Sequence, residues 1–134
     1  MTDFLDANVI LYSFSLDPRE RAIAEGRIED ALHGNGIISF QVAQEVLNVL
    51  IRRAWADGPE RVRFLQTVLV PLWSVMPSPE LYELALAIQS RYRYSFYDSL
   101  IIAAALESGC NRLYSEDLQD GQRIEGLTIT NPFA

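Results

Sequence analysis

The sequence contains no lysine, one histidine, one cysteine and no long apolar run. Cys110 has no second cysteine with which to form a disulfide, which fits a reducing compartment. No stretch approaches the roughly 18 consecutive apolar residues that a membrane-spanning helix needs. The first residues, MTDFLDANV, carry acids where a secretory signal carries basic residues. We therefore expect a cytoplasmic protein that does not associate with membranes.

The basic residues are 11 arginines, which face 18 acids, and the net charge is −7. This balance argues against a protein that coats nucleic acid non-specifically, although a local basic patch is compatible with it. Arginine suits bidentate contacts with phosphate or carboxylate, and the absence of lysine also fits a biased genome composition. A length of 134 residues predicts a single domain, 1–134.

Short apolar strands alternate with longer helical segments along the chain. We predict strands at 2–6, 36–39, 72–76, 112–115 and 127–130. Helices are expected at 18–34, 40–58, 59–69, 79–92 and from just after 95 to 109, with a turn or short helix at 8–15. Asp17, Ser78 and Ser95 are the predicted N-caps, and Glu20 is the predicted reciprocal acid of a capping box with Asp17.

This alternation predicts an α/β fold with three layers, α/β/α, and a mainly parallel central sheet of about five strands. Right-handed crossovers place helices on both faces of such a sheet. The nearly continuous apolar stretch at 96–106 fits a helix that is buried against it.

Four acids from separate segments are expected at one edge of this sheet. Ligands of an open parallel sheet gather at the carboxyl ends of its strands, and the helices that run antiparallel to the strands begin at the same edge. Asp6 ends the first strand, and Asp117 follows the fourth by two residues. Glu45 lies in the second turn of its helix and Asp98 in the first turn of its own, and Asp120 is a candidate fifth acid.

Carboxylates that meet in this way repel one another, and a bound cation relieves the repulsion. Mg²⁺ and Mn²⁺ prefer carboxylate and water oxygens. A zinc site is not expected, because the only histidine, His33, lies near a predicted helix end and Cys110 lies beside a strand, where packing explains it.

Each acid also has an ordinary structural explanation. Asp98 is the third residue after Ser95, where an acid completes a capping box and is favoured by the helix dipole. Glu45 can be a solvated helix acid, Asp117 a turn residue, and Asp6 a cap for the segment after its strand. The meeting of all four acids at one edge favours a metal site over four separate structural roles, because four unrelated acids have no reason to meet there.

Around these acids the sequence resembles the PIN-domain ribonucleases, and among them the VapC-type toxins of bacterial toxin–antitoxin pairs. Four segments carry the resemblance, in order and over nearly the whole chain: FLDANVILY, SFQVAQEVLNVL, FYDSLIIAAA and LYSEDLQDG. Each segment alone is a weak signal, and all four together are a specific one. The family often has threonine before the fourth acid, where this chain has Ser115.

The resemblance implies an endoribonuclease that requires Mg²⁺ or Mn²⁺, is blocked by a cognate antitoxin protein and forms a homodimer. The implied catalytic acids are Asp6, Glu45, Asp98 and Asp117. The implied metal ligands are Asp6, Asp98 and Asp117, with Glu45 and Asp120 as further candidates. Asn8, Ser39 and Ser115 would not bind the metal themselves but would orient these ligands.

Two other functions stay open from the sequence alone. One is a PIN-domain nuclease of RNA maturation or decay that has no antitoxin. The other is a catalytically silent PIN fold that only binds proteins, and the complete set of acids argues against it.

An RNA substrate needs positive charge near these acids. Arg52 and Arg53 lie on the helix of Glu45, and Arg91 and Arg93 precede Asp98 with tyrosines interleaved as stacking surfaces. Arg52 and Arg53 are equally explained as solvated residues of a helix end, which the helix dipole favours.

The helix that begins at Phe40 is apolar on more than one side. One side should face the sheet. The other is either a groove for a partner helix, a dimer contact, or a surface covered by the helix predicted at 59–69.

Overall fold

The structure is a computed structural model that describes residues 2–134, and its centre is a six-stranded sheet. The strands are β1 (Asp3–Leu5), β2 (Gly36–Ser39), β3 (Trp73–Val75), β4 (Arg112–Tyr114), β5 (Arg123–Ile124) and β6 (Leu127–Thr130). Their order in the sheet is β3-β2-β1-β4-β6-β5. All neighbouring strands are parallel except β5 and β6. The predicted three-layer α/β fold with a mainly parallel sheet is confirmed.

Strand β5 was not predicted. It has two residues and pairs antiparallel with β6 across a tight turn in which Glu125 has a positive φ of 56°. Alternation of polar and apolar residues cannot be recognised over two positions, so only the pairing with β6 reveals the strand. It adds an antiparallel edge to an otherwise parallel sheet.

Seven α-helices surround the sheet: α1 (Ala7–Leu11), α2 (Pro18–Asp30), α3 (Phe40–Arg52), α4 (Gly58–Phe64), α5 (Val70–Leu72), α6 (Pro79–Tyr92) and α7 (Phe96–Glu107). A 3₁₀ turn (Tyr12–Phe14) follows α1, and π-helical turns (Ala31–Asn35 and Leu65–Leu69) follow α2 and α4. Among residues 2–134, every helix is too short or too polar to cross a bilayer.

The predicted N-caps Asp17, Ser78 and Ser95 all accept hydrogen bonds from the first turns of their helices. The predicted capping box at Asp17 is wrong. The Glu20 carboxylate accepts a hydrogen bond from the Ser15 hydroxyl at 3.0 Å, and the Asp17 amide donates to the same hydroxyl oxygen at 3.1 Å. The Ser15 hydroxyl therefore bonds both the Glu20 carboxylate and the Asp17 amide, the two groups that would form a hydrogen bond with each other in a capping box.

Helix α3 ends at Arg52, well before Gly58, where the sequence analysis placed its end. Ala54 follows with a positive φ of 52°, which leaves the helical path. Gly58 instead begins α4, whose capping box joins Asp57 and Glu60 with bonds of 2.9 and 3.0 Å. The cap signal at Asp57 thus outweighs the tendency of glycine to end a helix.

The buried helix α7 determines where Asp98 stands. Residues Ser99 to Ala105 are all buried, and α6 packs along α7. The Ser95 hydroxyl accepts a hydrogen bond from the Asp98 amide at 3.1 Å, and Gly109, with φ of 76°, follows the end of the helix. The burial of α7 fixes Asp98 at the rim of the sheet, in the first turn.

Helix α3 buries four apolar side chains, Val42, Ala43, Val46 and Leu50, and also contacts the π-helical turn Leu65–Leu69. This contact involves part of the helix predicted at 59–69, and which of the open explanations holds for the second apolar side stays a prediction. Val49 is only half-buried and faces a cleft beside the acids.

Candidate active site

Asp6 links the ends of β1 and β4. It follows β1 directly and caps α1, with Oδ1 accepting from the Ala7 amide at 2.7 Å. Oδ2 accepts a hydrogen bond of 2.8 Å from the hydroxyl of the fully buried Ser115. The Asp6 amide donates to the Tyr114 carbonyl at 2.9 Å. The carboxylate, only 6 % exposed, is thus fixed in one orientation at the carboxyl edge of the sheet.

The electrostatics of Asp6 show that it faces other acids. Burial raises the pKa of Asp6 from 3.8 to about 7, and the hydrogen bonds from Ser115 and Ala7 oppose that rise. The charges of Glu45 and Asp117 raise this pKa further. Three of the predicted acids are therefore close enough to interact.

Asp117 lies in the exposed loop that follows β4. The Asn8 side-chain amide donates to Asp117 Oδ2 at 2.7 Å, across 109 residues of sequence. Asn8 is on α1, which begins immediately after Asp6. One short helix therefore brings Asp6 and the partner of Asp117 to the same place.

The residue before Asp117, Glu116, is held from the 3₁₀ turn that follows α1. The Tyr12 hydroxyl, just past the end of that helix, lies 2.7 and 2.6 Å from the two oxygens of the Glu116 carboxylate. This hydrogen bond raises the pKa of Tyr12 to about 12. Tyr12 was not among the residues predicted from the sequence. Its spacing of four from Asn8, which puts both on one side of a helix, was the available signal.

Glu45 and Asp98 approach from the helices α3 and α7. The pKa of Glu45 is raised by partial burial of its carboxyl group and then by the charges of Asp117 and Asp98. Within residues 2–134, neither the Glu45 nor the Asp98 carboxylate has a hydrogen-bond or ion-pair partner. The side chain of Asp98 therefore does not close the capping box with Ser95 that would explain it structurally.

Two other predicted site residues have structural contacts of their own. The Asp120 carboxylate accepts a hydrogen bond of 2.9 Å from the Asn131 amide, and its charge is not among those that raise the pKa of Asp6 or Glu45. The Ser39 hydroxyl is buried and caps α3.

A cleft of about 660 Å³ opens beside the acids. Asn8, Glu45 and Asp117 lie on its acidic side, and Arg52 and Arg53 line it as well. Its remaining walls carry the polar residues Ser15, Asp17 and Glu20 and six apolar or aromatic ones, Leu11, Tyr12, Phe14, Leu16, Val49 and Trp55. The cleft therefore places positive charge, apolar surface and three of the site residues in one groove.

Only one of the two predicted arginine pairs lines this cleft. Arg53 stacks over the Trp55 ring, with 5.5 Å from its guanidinium carbon to the ring centroid. Arg91 and Arg93 are exposed outside the cleft, where Arg91 stacks over Tyr92 at 5.3 Å.

The donor atoms at this edge suit a hard divalent cation, because all four acids offer carboxylate oxygens that repel one another. Zinc is disfavoured, since the His33 ring nitrogen lies 2.8 Å from the Glu29 carbonyl and Cys110 is buried away from the acids. Within residues 2–134, no three His, Cys, Asp or Glu side chains are close enough to hold one ion together. The acids fit a cation chemically, but their side chains do not form a ready-made ligand shell.

Comparison with solved structures identifies similar folds. A toxin–antitoxin complex from Klebsiella pneumoniae matches with a TM-score of 0.68 at 19% identity, over 98% of both chains. VapBC2 from Rickettsia felis, bound to a DNA fragment from its promoter, matches with a TM-score of 0.70 at 16% identity, over 98% of both chains. VapC20 from Mycobacterium tuberculosis, a toxin that cleaves the sarcin–ricin loop, matches with a TM-score of 0.63 at 18% identity, over 87% of this chain and 90% of that one.

At these identities the likeness concerns the fold. No curated protein matches the chain. The sequence itself matches the PIN domain family over residues 4–123, a range that holds Asp6, Glu45, Asp98 and Asp117. The chain therefore belongs to the PIN domain family.

Proposed function

We propose that this protein is a Mg²⁺- or Mn²⁺-dependent endoribonuclease and the toxin of a type II toxin–antitoxin pair. The observation that carries the proposal is the buried Asp6 carboxylate, whose pKa of about 7 reflects burial and the facing charges of Glu45 and Asp117. A fold gains nothing from such repulsion, so the arrangement is best explained by a cation at this edge. Membership of the PIN domain family supports a nuclease.

Asp6, Asp98 and Asp117 would hold the ion, and Glu45 would either join them as a ligand or accept a proton from water. When bound, the ion would supply polarisation of a phosphoryl oxygen and a lowered pKa of water. Ser115 and Asn8 then have defined tasks, since their hydrogen bonds of 2.8 and 2.7 Å orient Asp6 and Asp117.

Glu45 is the candidate general base. Its raised pKa brings it closer to neutral pH, where a carboxylate accepts a proton from an attacking water more readily. It lines the cleft, so it can reach a bound substrate. Arg52 and Arg53, in the same cleft, would contact the RNA phosphates.

A cognate antitoxin is the proposed protein partner. The structure with a similar fold from Klebsiella pneumoniae is a toxin–antitoxin complex, and the one from Rickettsia felis is VapBC2 bound to a DNA fragment from its promoter. The cleft has the surface for a protein partner, because Leu16 is 94% exposed and Trp55 is 44% exposed on its walls. We also propose that the protein forms a homodimer, as the resemblance to VapC-type toxins implies.

Cleavage of a synthetic RNA tests the nuclease directly. Purified protein free of any partner should cleave in the presence of Mn²⁺, and Asp98→Asn should reduce cleavage at least roughly a hundredfold, since outer-shell groups alone change activity by about 10–100-fold. Asp120→Asn is the matched control, because its carboxylate binds Asn131 instead of facing the other acids. Absence of cleavage by the wild type, or equal cleavage by Asp98→Asn, would refute the proposal.

Expression in a bacterial host tests the toxin. The chain alone should arrest growth, and Asp6→Ala should abolish the arrest while the protein still accumulates. A small reading frame directly upstream whose product restores growth would support the antitoxin. RNA cleavage in vitro without growth arrest would instead favour a nuclease of RNA maturation or decay.

A further inference from the structure

Tyr12 and Glu116 form a hydrogen-bonded pair beside the proposed catalytic acids. The Tyr12 hydroxyl lies 2.7 and 2.6 Å from the two oxygens of Glu116, the residue that precedes Asp117. We propose that Tyr12 and Glu116 are a positioning pair, which holds the loop after β4 so that Asp117 presents its carboxylate to the cation. This inference rests on the proposed function, because it assigns Asp117 to the metal.

The pair forms the second of two attachments to this loop, one from Asn8 on α1 and one from Tyr12 in the 3₁₀ turn that follows it. Asn8 and Tyr12 are four residues apart, so they lie on the same side of the helical segment. Asn8 holds Asp117 and Tyr12 holds Glu116, and both acids are more than 100 residues away in sequence. Two attachments on consecutive residues fix both the position and the rotation of the loop, which a single bond at Asp117 cannot do.

The geometry also assigns a role to Glu116. Both of its carboxylate oxygens lie within hydrogen-bonding distance of one phenol hydroxyl. A carboxylate that is engaged in this way serves as an anchor for the loop. Asp117 keeps Oδ1 available, because Asn8 contacts only Oδ2.

The C-terminal residues brace Tyr12 from the other side. The rings of Tyr12 and Phe133 pack edge to face, with centroids 4.4 Å apart. Arg19 donates a hydrogen bond of 3.1 Å to the Phe133 carbonyl, and Asn131 accepts one of 2.9 Å from the Phe133 amide. Ring packing and hydrogen bonding are thus separable in Tyr12, since phenylalanine keeps the first and removes the second.

The direct alternative is that Tyr12 contacts the RNA, because it also lines the cleft. The two roles predict different kinetics. A positioning residue acts through Asp117 and lowers kcat, whereas a substrate contact acts on KM. A positioning residue also depends on Glu116, whereas a substrate contact does not.

The test compares Tyr12→Phe, Glu116→Ala, Glu116→Gln and the Tyr12→Phe/Glu116→Ala double variant. We expect each of Tyr12→Phe and Glu116→Ala to lower kcat roughly tenfold and to weaken Mn²⁺ binding in calorimetry by a similar factor, with little change in KM. The double variant should be no worse than either single variant, because both remove the same bond. Glu116→Gln, which keeps one acceptor, should retain more activity than Glu116→Ala.

Tyr82→Phe on α6 is the control for loss of a phenol hydroxyl and should behave as the wild type. The inference is overturned if kcat and Mn²⁺ affinity are unchanged in Tyr12→Phe, if only the melting temperature falls, or if the effects of the two single variants add. A rise in KM that Glu116→Ala does not reproduce assigns Tyr12 to RNA binding and also overturns it. Failure of the wild type to bind Mn²⁺ or cleave RNA would count against the proposed function instead.

Discussion

The acidic edge has two halves that are built differently. In the held half, Asp6 and Asp117 are fixed by hydrogen bonds from Ser115, Ala7 and Asn8. In the free half, Glu45 and Asp98 have no hydrogen-bond or ion-pair partner for their carboxylates among residues 2–134. Charge alone links the halves, through the effect of Asp117 on the pKa of Glu45 and of Glu45 on that of Asp6.

This difference follows from the elements that supply each half. The held acids come from the ends of adjacent parallel strands, β1 and β4, where backbone pairing sets the distance between Asp6 and Ser115. The free acids come from α3 and α7, where each helix fixes the backbone, but the carboxylates of the exposed Glu45 and the half-buried Asp98 are not tied by a hydrogen bond among residues 2–134. With a cation bound, the held half would supply ligands in fixed positions, and the side chains of the free half would have to turn toward it, since no three acids among residues 2–134 already form a ligand shell.

The largest effect is expected from removing the charge of the held half. Asp6→Asn keeps an acceptor for the Ala7 amide, and the Ser115 hydroxyl can rotate to accept from the new amide group. Cleavage should fall at least roughly a hundredfold, because the ligand set loses its buried charge. The metal-free protein should melt at a higher temperature at pH 8, because charge repulsion and desolvation are relieved. A variant that melts lower and cleaves normally would contradict the assignment.

The pH dependence of metal-free stability should have the same origin. The pKa of Asp6 is about 7 in the folded protein and 3.8 as the ordinary value. Between these values the folded state binds the extra proton, so the free energy of unfolding should fall as pH rises from about 4 to about 7, by about 4 kcal/mol at most. Urea unfolding across this range measures the slope. Asp6→Asn should flatten this slope. An equal slope in both proteins would show that the raised pKa of Asp6 does not cause it.

Loss of the Ser115 hydroxyl should have a smaller effect on stability. Ser115→Ala leaves one buried oxygen of Asp6 without its donor and should cost about 1–3 kcal/mol in metal-free protein at pH 8. Protonation of Asp6 removes part of this cost, so the difference from the wild type should shrink at pH 5. Asn8→Ala makes the matching change in the exposed part of the held half, where it removes the bond to Asp117. It should lower the free energy of unfolding by less than Ser115→Ala does, because water can replace that bond.

The smallest effects are expected from substitutions of the arginines. Comparing an arginine inside the cleft with one outside it tests whether the RNA binds in the cleft. Arg53→Gln should raise KM for RNA a few-fold and reduce the dependence of binding on salt, since one phosphate contact is lost. Arg93→Gln, outside the cleft, should leave both unchanged. Binding of a short RNA to Mn²⁺-free protein at two salt concentrations measures the difference. Equal effects of the two variants would show that the RNA does not bind in the cleft as proposed.

The sequence predicted those features that depend on local signals. Pro18, Pro79 and the capping residues located three helix starts, and the position of Asp6 at the end of a strand followed from strand alternation. The end of α3 was wrong because the strong cap at Asp57 was read as part of the preceding helix. The fold class was predictable because a parallel sheet follows from alternating strands and helices.

The features that escaped prediction depend on contacts between distant segments. The bond between Tyr12 and Glu116 spans 104 residues. Arg52 and Arg53 could not be preferred over Arg91 and Arg93 from sequence, because the cleft forms only when α3, the segment around α1 and the loop after β4 come together. Asp120 resembled the other acids by its position after β4, and its bond to Asn131 is visible only once β6 lies beside β4.

Calorimetric titration with Mn²⁺ tests most directly whether the two halves meet on a cation. The proteins to compare are the wild type and a Glu45→Gln/Asp98→Asn variant, which removes the charges of the free half and leaves the hydrogen bonds of the held half intact. The account predicts that the wild type binds Mn²⁺ and gains melting temperature from it, while the variant binds at least roughly tenfold more weakly and gains little. Equal Mn²⁺ affinity in both proteins would show that the free half does not contribute to a metal site and would contradict the account.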